Sequence, residues 1–271
     1  MKKTHIGIVG CGAIGTGIAK RIQKEWKKSF CINALYDIDK EKTCALANKL
    51  HRQDIVASTL NSLIKKCDLI VEAVSSNNIR SIIKPALLAK KSVLVMSIGQ
   101  MLSAPDLFKL AEKNKCHLLL PSGAIGGLDA IKAGSLEKIS KITLTTRKPP
   151  RGLANARYVI EKGIDLSHIK KETIIFEGDV KRAVKYFPRN INVAATLALA
   201  SRAKNKMKIR IITSPQFKTN SHEIVVEGSF GRLMTRTDNV PCPDNPKTSY
   251  LAVLSALQTL KQHVNFIKIG T

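Results

Sequence analysis

The sequence predicts an α/β protein: a doubly wound parallel sheet in the N-terminal part, followed by a second, α+β domain. Three observations predict it. Short apolar runs alternate with longer amphipathic segments as far as Pro121. Beyond Pro121 the alternation gives way to strands of period two with one long helical segment. The length of 271 residues suits about two domains.

In the first part, the apolar runs Thr4–Val9, Cys31–Tyr36, Asp68–Val74, Ser92–Met96 and Cys116–Leu120 read as strands. The stretches Ala13–Lys27, Lys40–Leu50, Asn78–Ala89 and Pro105–Asn114 read as helices, and Asp54–Ala57 as a short additional strand. In the second part, Lys141–Thr146, Thr173–Phe176, Met207–Ile212, His222–Glu227 and Gly231–Arg236 read as strands, and Leu128–Ala133 and Ile191–Ala203 as helices. Consecutive prolines remove backbone donors, so Arg147-Lys-Pro-Pro-Arg-Gly152 reads as a loop. A turn-rich stretch, Val240–Pro246, precedes a final helix over Lys247–His263, whose Tyr250, Leu251, Leu254, Leu257 and Leu260 share a face. The expected organisation is a dinucleotide-type domain over 1–121, an α+β substrate and dimerisation domain over 122–245, and a C-terminal segment over 246–271 packing back on the first domain.

Lys+Arg number 45 against 20 Asp+Glu, a net charge of +25. Such a balance suits nucleic acid, but the basic residues are spread along the whole chain and only 4% of residues are aromatic, too few for stacking platforms. Nucleic-acid binding is therefore set aside, and the surface is read as one that attracts small anions. The six cysteines stand far apart with no C-x-x-C pair, which excludes a zinc framework and points to a reducing compartment. Met1-Lys-Lys followed by apolar residues imitates a leader, yet Gly7, Gly10, Gly12, Gly15 and Gly17 interrupt the run. No stretch approaches the roughly eighteen apolar residues of a membrane span, and a cytoplasmic protein is expected.

Gly10-Cys-Gly12-Ala-Ile-Gly15 places G-x-G-x-x-G between a strand and a helix, the context in which that spacing binds a dinucleotide. Gly10 makes the tight turn, Gly12 admits the pyrophosphate, and Gly15 lets helix and strand approach. The phosphates then rest on the helix N-terminus at Ala13 and Ile14. The acid that ends the second strand, Asp37, suits the ribose hydroxyls of NAD and repels a 2′-phosphate, with Lys40 and Lys42 close enough to admit some NADP. This is a Rossmann domain holding NAD. A second glycine-rich junction, Pro121-Ser-Gly-Ala-Ile-Gly-Gly127, follows another strand, where ligands of open α/β sheets bind. Its glycines are read as letting backbone reach the nicotinamide end of the cofactor.

The stretches Pro121–Asp129, Arg147-Lys-Pro-Pro150, Phe187-Pro-Arg-Asn-Ile-Asn-Val-Ala-Ala195 and Asn245-Pro-Lys-Thr-Ser-Tyr250 resemble the signature motifs of the L-aspartate dehydrogenases, along nearly the whole chain. The resemblance implies NAD(P)-dependent interconversion of L-aspartate and iminoaspartate (oxaloacetate plus ammonia), a supply of iminoaspartate for NAD synthesis, and a homodimer. It further implies that Ala124 and Asn190 contact the cofactor and that His222 is the catalytic acid/base. No metal is implied. The role assigned to His222 is chemically reasonable, since the amine must lose a proton before hydride leaves Cα and an imidazole titrates in the right range. Asn192 can cap the helix it opens or bind substrate, and Lys247, Thr248 and Ser249, expected at a helix N-terminus, are candidate carboxylate donors. Two other readings share the glycine loop: a reductase of an aspartate-derived aldehyde or cyclic imine, and a non-enzymatic NAD-binding sensor.

A dianionic substrate is drawn to a +25 surface, so kcat/KM should fall as salt is added at constant pH. A flat response in a salt titration of initial rates would remove that role for the surface.

Overall fold

A computed structural model describes residues 3–74, 78–187, 191–243 and 245–270, with the side chains of residues 245–247 excepted. The chain divides into two compact units, Met1–Pro121 with Val253–Phe266, and Ser122–Ala252 with Ile267–Thr271.

The first unit is built on β1 (Thr4–Val9), α1 (Ala13–Glu25), β2 (Phe30–Tyr36), α2 (Lys40–Lys49), α3 (Leu60–Lys66), β3 (Leu69–Glu72), α4 (Arg80–Leu88), β4 (Ser92–Val95), α5 (Pro105–Lys113) and β5 (Leu118–Leu119). The five strands lie in the order β2-β1-β3-β4-β5 and all pairings are parallel, the arrangement expected of a Rossmann domain. Strands β3 and β4 are near-continuous apolar runs because a parallel sheet is covered on both faces. Helix α1 buries Gly15, Ile18, Ala19 and Ile22, the three-and-four spacing of one helix face. Asp54–Ala57 is not a strand: Gln53–Ile55 forms a 3-10 turn and only Val56 bridges to Leu35.

The glycine loop is tightly packed at two of its three glycines. Gly10 has φ +99°, and a Cβ there would stand 2.5 Å from the Ala73 carbonyl oxygen. A Cβ on Gly15 would stand 2.0 Å from the Gly10 oxygen. Around Gly12, by contrast, nothing lies within 4 Å of a Cβ position.

The second unit contains α6 (Leu128–Gly134), β6 (Ile139–Lys148), α7 (Arg157–Glu161), β7 (Thr173–Gly178), α8 (Val180–Tyr186), α9 (Asn192–Ser201), β8 (Met207–Thr213), β9 (Asn220–Gly228), β10 (Gly231–Asn239), β11 (Pro241–Cys242) and β12 (Asn245–Ser249). Its main sheet runs β10-β9-β6-β8-β7, with β6 and β8 parallel and the other pairs antiparallel. Tyr158, Phe176, Tyr186 and Phe187 form an aromatic cluster, with Phe176 fully buried.

Two expectations are corrected here. Arg147 and Lys148 are not loop residues but the last two of β6, because β8 and β9 extend its ladder up to the prolines. Lys247, Thr248 and Ser249 do not open the last helix. A residue before proline is driven to extended backbone, and Asn245–Ser249 pairs with Pro241–Cys242 as a two-stranded hairpin. Helix α10 begins only at Tyr250 and runs to Val264. Its Val253 stands against Gly17 of α1, and His263 makes an edge contact with His117.

No helix among the described residues is long and apolar enough to cross a membrane. All six cysteines are free, and burial pushes the Cys11 and Cys67 thiols up to about 12.

The loop geometry separates two substitutions. Gly15→Ala forces a methyl against backbone and should cost on the order of 2–4 kcal/mol in urea unfolding. Gly12→Ala, with open space and φ −73°, should leave the unfolding free energy within about 1 kcal/mol of wild type. Equal losses from the two would contradict this packing.

Candidate active site

In the first unit, Gly12 occupies the N-cap position of α1, and neither a side-chain cap nor an acidic residue is present in the first turn. The N–H groups at Ala13 and Ile14 therefore face outward at the positive end of the helix, a ready anion site. Asp37 lies beside them. Its Oδ2 accepts the Cys11 amide at 2.7 Å and its Oδ1 accepts the Asp39 amide at 3.0 Å, while the Gly10 amide donates to the Tyr36 carbonyl. The carboxylate is thus fixed against the glycine loop by main chain, and each oxygen keeps a lone pair for a ribose hydroxyl. Lys42 is turned to Asp39, 3.0 Å away. Open space at Gly12, an uncapped helix end and a positioned acid fit a dinucleotide. These are the groups that would hold NAD.

The loops after β3 and β4 are joined by Glu72, which is fully buried. Its carboxyl accepts the amides of Val74, Met96 and Ser97 and lies 2.8 Å from the Ser97 hydroxyl. Burial pushes its pKa up, and those hydrogen bonds pull the other way. An acid closing an apolar run is visible in the sequence; that its partners come from the next strand's loop is not.

In the second unit, the side chains of one sheet face converge. His222 is the third residue of β9, paired with Thr146 of β6 and Thr237 of β10. It is 6% exposed, and its Nδ1 lies 3.0 Å from the Thr146 hydroxyl. That contact orients the ring through Nδ1. Burial, and secondarily the charge of Lys148, pull the imidazole down to about 3, so it is neutral at ordinary pH.

The loop after Pro121 is strapped to this same face. The Ala124 carbonyl accepts the Thr237 hydroxyl at 2.8 Å and the Asn239 side-chain amide at 3.1 Å, and the Gly126 carbonyl accepts the Thr235 hydroxyl. The two positive-φ glycines divide the labour. A Cβ on Gly127 would collide with Thr235 at 2.6 Å, whereas a Cβ on Gly123 would meet nothing within 4 Å. Packing on β10 accounts for the first, whereas at the second the positive φ alone calls for glycine. The side-chain oxygen Oδ1 of Asn239 is buried without a hydrogen-bond partner among the described residues.

Asn192 is the first residue of α9, after the N-cap Ile191, and its carbonyl accepts the Thr196 hydroxyl. Asn190 and the Lys247 side chain lie outside the described residues, whereas Thr248 and Ser249 are the end of β12. Thr146, Thr237 and Asn239, which surround His222 and the Ala124 loop, and Glu72, which ties two loops of the first unit, are not singled out by the sequence reading. The apolar-polar alternation Leu144, Thr146, Lys148 is the available signal for the first, hidden when the strand is taken to end at Thr146. Among the described residues, no three His, Cys, Asp or Glu side chains gather as a metal site.

Comparison with known proteins assigns both halves of the chain to families. The family model for the aspartate dehydrogenase C-terminal domain matches residues 129–263, and that for the homoserine dehydrogenase NAD-binding domain matches residues 10–121. The L-aspartate dehydrogenase of Methanosarcina barkeri is 45% identical over 269 residues, covering 98% of this chain and 99% of its own. Among solved structures, the aspartate dehydrogenase of Thermotoga maritima superposes with a TM-score of 0.72 at 23% identity, covering 99% of this chain and all of its own. A homoserine dehydrogenase from Thiobacillus denitrificans gives 0.62 at 13% identity, covering 97% of this chain and 74% of its own. Full-length identity at this level joins the two halves in one assignment: the chain belongs to the L-aspartate dehydrogenase family.

Proposed function

We propose that this chain oxidises L-aspartate to iminoaspartate with NAD, and runs the reverse reductive amination, with His222 as the acid/base. The observation that carries this reading is the His222–Thr146 pair, buried on the sheet face that also holds the Ala124 loop. When bound, NAD supplies the hydride acceptor for the substrate Cα. The chain's residues supply the rest. The loop from Gly10 to Gly15, with Ala13 and Ile14, would take the pyrophosphate and Asp37 the ribose; Ala124 and Asn190 complete the proposed cofactor contacts.

His222 works through Nε2 while Thr146 holds Nδ1. As a neutral base it receives the proton that the substrate ammonium must shed before nitrogen can push hydride from Cα; in reverse it returns that proton to nitrogen. Asn192, Lys247, Thr248 and Ser249 stand as proposed donors to the substrate carboxylates. Asp37, held by two amides, favours NAD, and Lys42, drawn to Asp39, does little for a 2′-phosphate. The family alone supports a homodimer, a cytoplasmic enzyme and a supply of iminoaspartate for pyridine nucleotide synthesis.

The decisive assay follows NADH absorbance in both directions, with oxaloacetate and ammonium or with NAD and L-aspartate, each against omission controls. Ammonium-dependent NADH loss and aspartate-dependent NADH formation are expected, with NADP the poorer partner. His222→Ala should lose about 100-fold or more of kcat while NADH binding stays as in wild type; near-normal turnover would falsify the acid/base role. Cofactor binding with neither reaction would move the reductase and sensor readings ahead.

Burial of His222 also has a signature in stability. Its pKa falls on folding from 6.5 to about 3, so between those values the unfolded chain takes up a proton that the folded chain refuses. The stability this group contributes is present above 6.5 and is lost as pH falls towards 3. From pH 7 to about pH 4.5 the loss is about 2–3 kcal/mol. His222→Gln should remove that share, read as the double difference of urea titrations at the two pH values.

A further inference from the structure

Glu72 is the last residue of β3, a strand otherwise built of Leu69, Ile70 and Val71, and it is fully buried. The sheet itself does not call for a carboxyl there. The ladder from β1 through β3 to β4 closes on main chain, with the Ala73 amide on the Val9 carbonyl and the Met96 amide on the Glu72 carbonyl. The side chain acts further out. Its Oε1 accepts the Val74 amide at 2.9 Å, and its Oε2 accepts the Met96 and Ser97 amides at 3.1 and 3.0 Å. The Ser97 hydroxyl stands 2.8 Å from both Oε1 and the Val74 carbonyl oxygen. Desolvating the carboxyl is costly, and burial pushes its pKa up. An apolar residue would avoid that cost but could not hold these amides.

The sheet order β2-β1-β3-β4-β5 puts the switch in strand order between β1 and β3, and ligands of open α/β sheets bind over the carboxyl ends at that point. Asp37 follows β2, and the glycine loop follows β1. With one ribose at Asp37 and the pyrophosphate at the glycine loop, the remaining half of a dinucleotide runs on over the ends of β3 and β4. Those ends are Val74 and Met96–Ser97, the main chain that the Glu72 carboxyl holds. The glycine loop is secured separately. Its Gly10 amide donates to the Tyr36 carbonyl, and the Ala73 carbonyl leaves no room for a Cβ on Gly10.

We propose that Glu72 is a positioning residue for the nicotinamide half of the cofactor, shaping the main chain under that half while the glycine loop and Asp37 hold the other. The assignment rests on the dinucleotide reading given above and not on the identity of the substrate. It explains why a buried acid closes an apolar strand: its bonds extend the order of the sheet beyond the last ladder contacts, to the place where a flat ring must be held. It also makes the two halves of the cofactor separable, because the carboxyl serves one and not the other.

The test compares calorimetric Kd values for NADH and for ADP-ribose, which lacks the nicotinamide, in wild type, Glu72→Gln and Ser97→Ala. Gln keeps the shape and one acceptor oxygen, but its NH2 group cannot accept an amide. In Glu72→Gln the NADH Kd should rise about 10-fold, while the ADP-ribose Kd stays within about twofold of wild type. Ser97→Ala, which removes the hydroxyl and keeps the amide, should shift NADH in the same direction by less, and it carries the comparison if Glu72→Gln does not fold. An NADH Kd within about twofold of wild type in folded Glu72→Gln overturns the proposal. So do equal losses for the two ligands, the pattern that a merely structural role would give. Wild type that binds neither ligand sinks the dinucleotide reading and this proposal together, whereas binding without turnover sinks the dehydrogenase reading alone.

Discussion

Because β9 is hydrogen-bonded on both sides, to β6 and to β10, its register decides which of its side chains lie under cover. His222, Ile224 and Val226 share the inner face, and the last two are 1% and 0% exposed. Burying such side chains contributes about 2 kcal/mol each. That apolar gain holds an ionisable ring where the ring alone would not go. A slip of one residue would carry Ser221 and Glu223 inward and His222 out. The hydrophobic residues of β9 therefore position its chemistry, although they take no part in it. The same register aligns Thr237 with His222 and so places the Ala124 loop on the face that carries the imidazole.

Two buried ionisable groups show how differently a fold can treat charge. Glu72 is surrounded by main-chain donors, which offset its desolvation and make it a clamp between two loops. His222 has one oriented contact and stays neutral. The first pattern belongs to structure. The second carries a protonation state displaced by burial, the feature that marks a candidate for chemistry.

Much of the first unit is legible in the sequence because parallel strands are written as apolar runs and the glycine loop is local. Asp37 can be assigned from its place at a strand end. The second unit is harder. Its short helices α7 and α8 span too few turns to display a periodicity. Pro149 and Pro150 dominate any reading around Lys148, although a strand can run up to a proline without loss. Thr248 and Ser249 look like helix-start residues, but pairing with Pro241–Cys242 wins over that local preference. The ties from Ala124 to Thr237 and Asn239 span more than a hundred residues. No local pattern announces a contact of that kind.

The unequal crowding of the three glycines bears on how such a loop changes over evolutionary time. Gly10 and Gly15 are demanded by neighbouring backbone, so a lineage that abandoned its nucleotide would still be compelled to keep both. Gly12 has no such obligation within the polypeptide and is free to drift once selection for the ligand lapses. In a set of diverged copies, the middle glycine is therefore the witness to a working nucleotide site, and the outer pair testify only that the domain still folds.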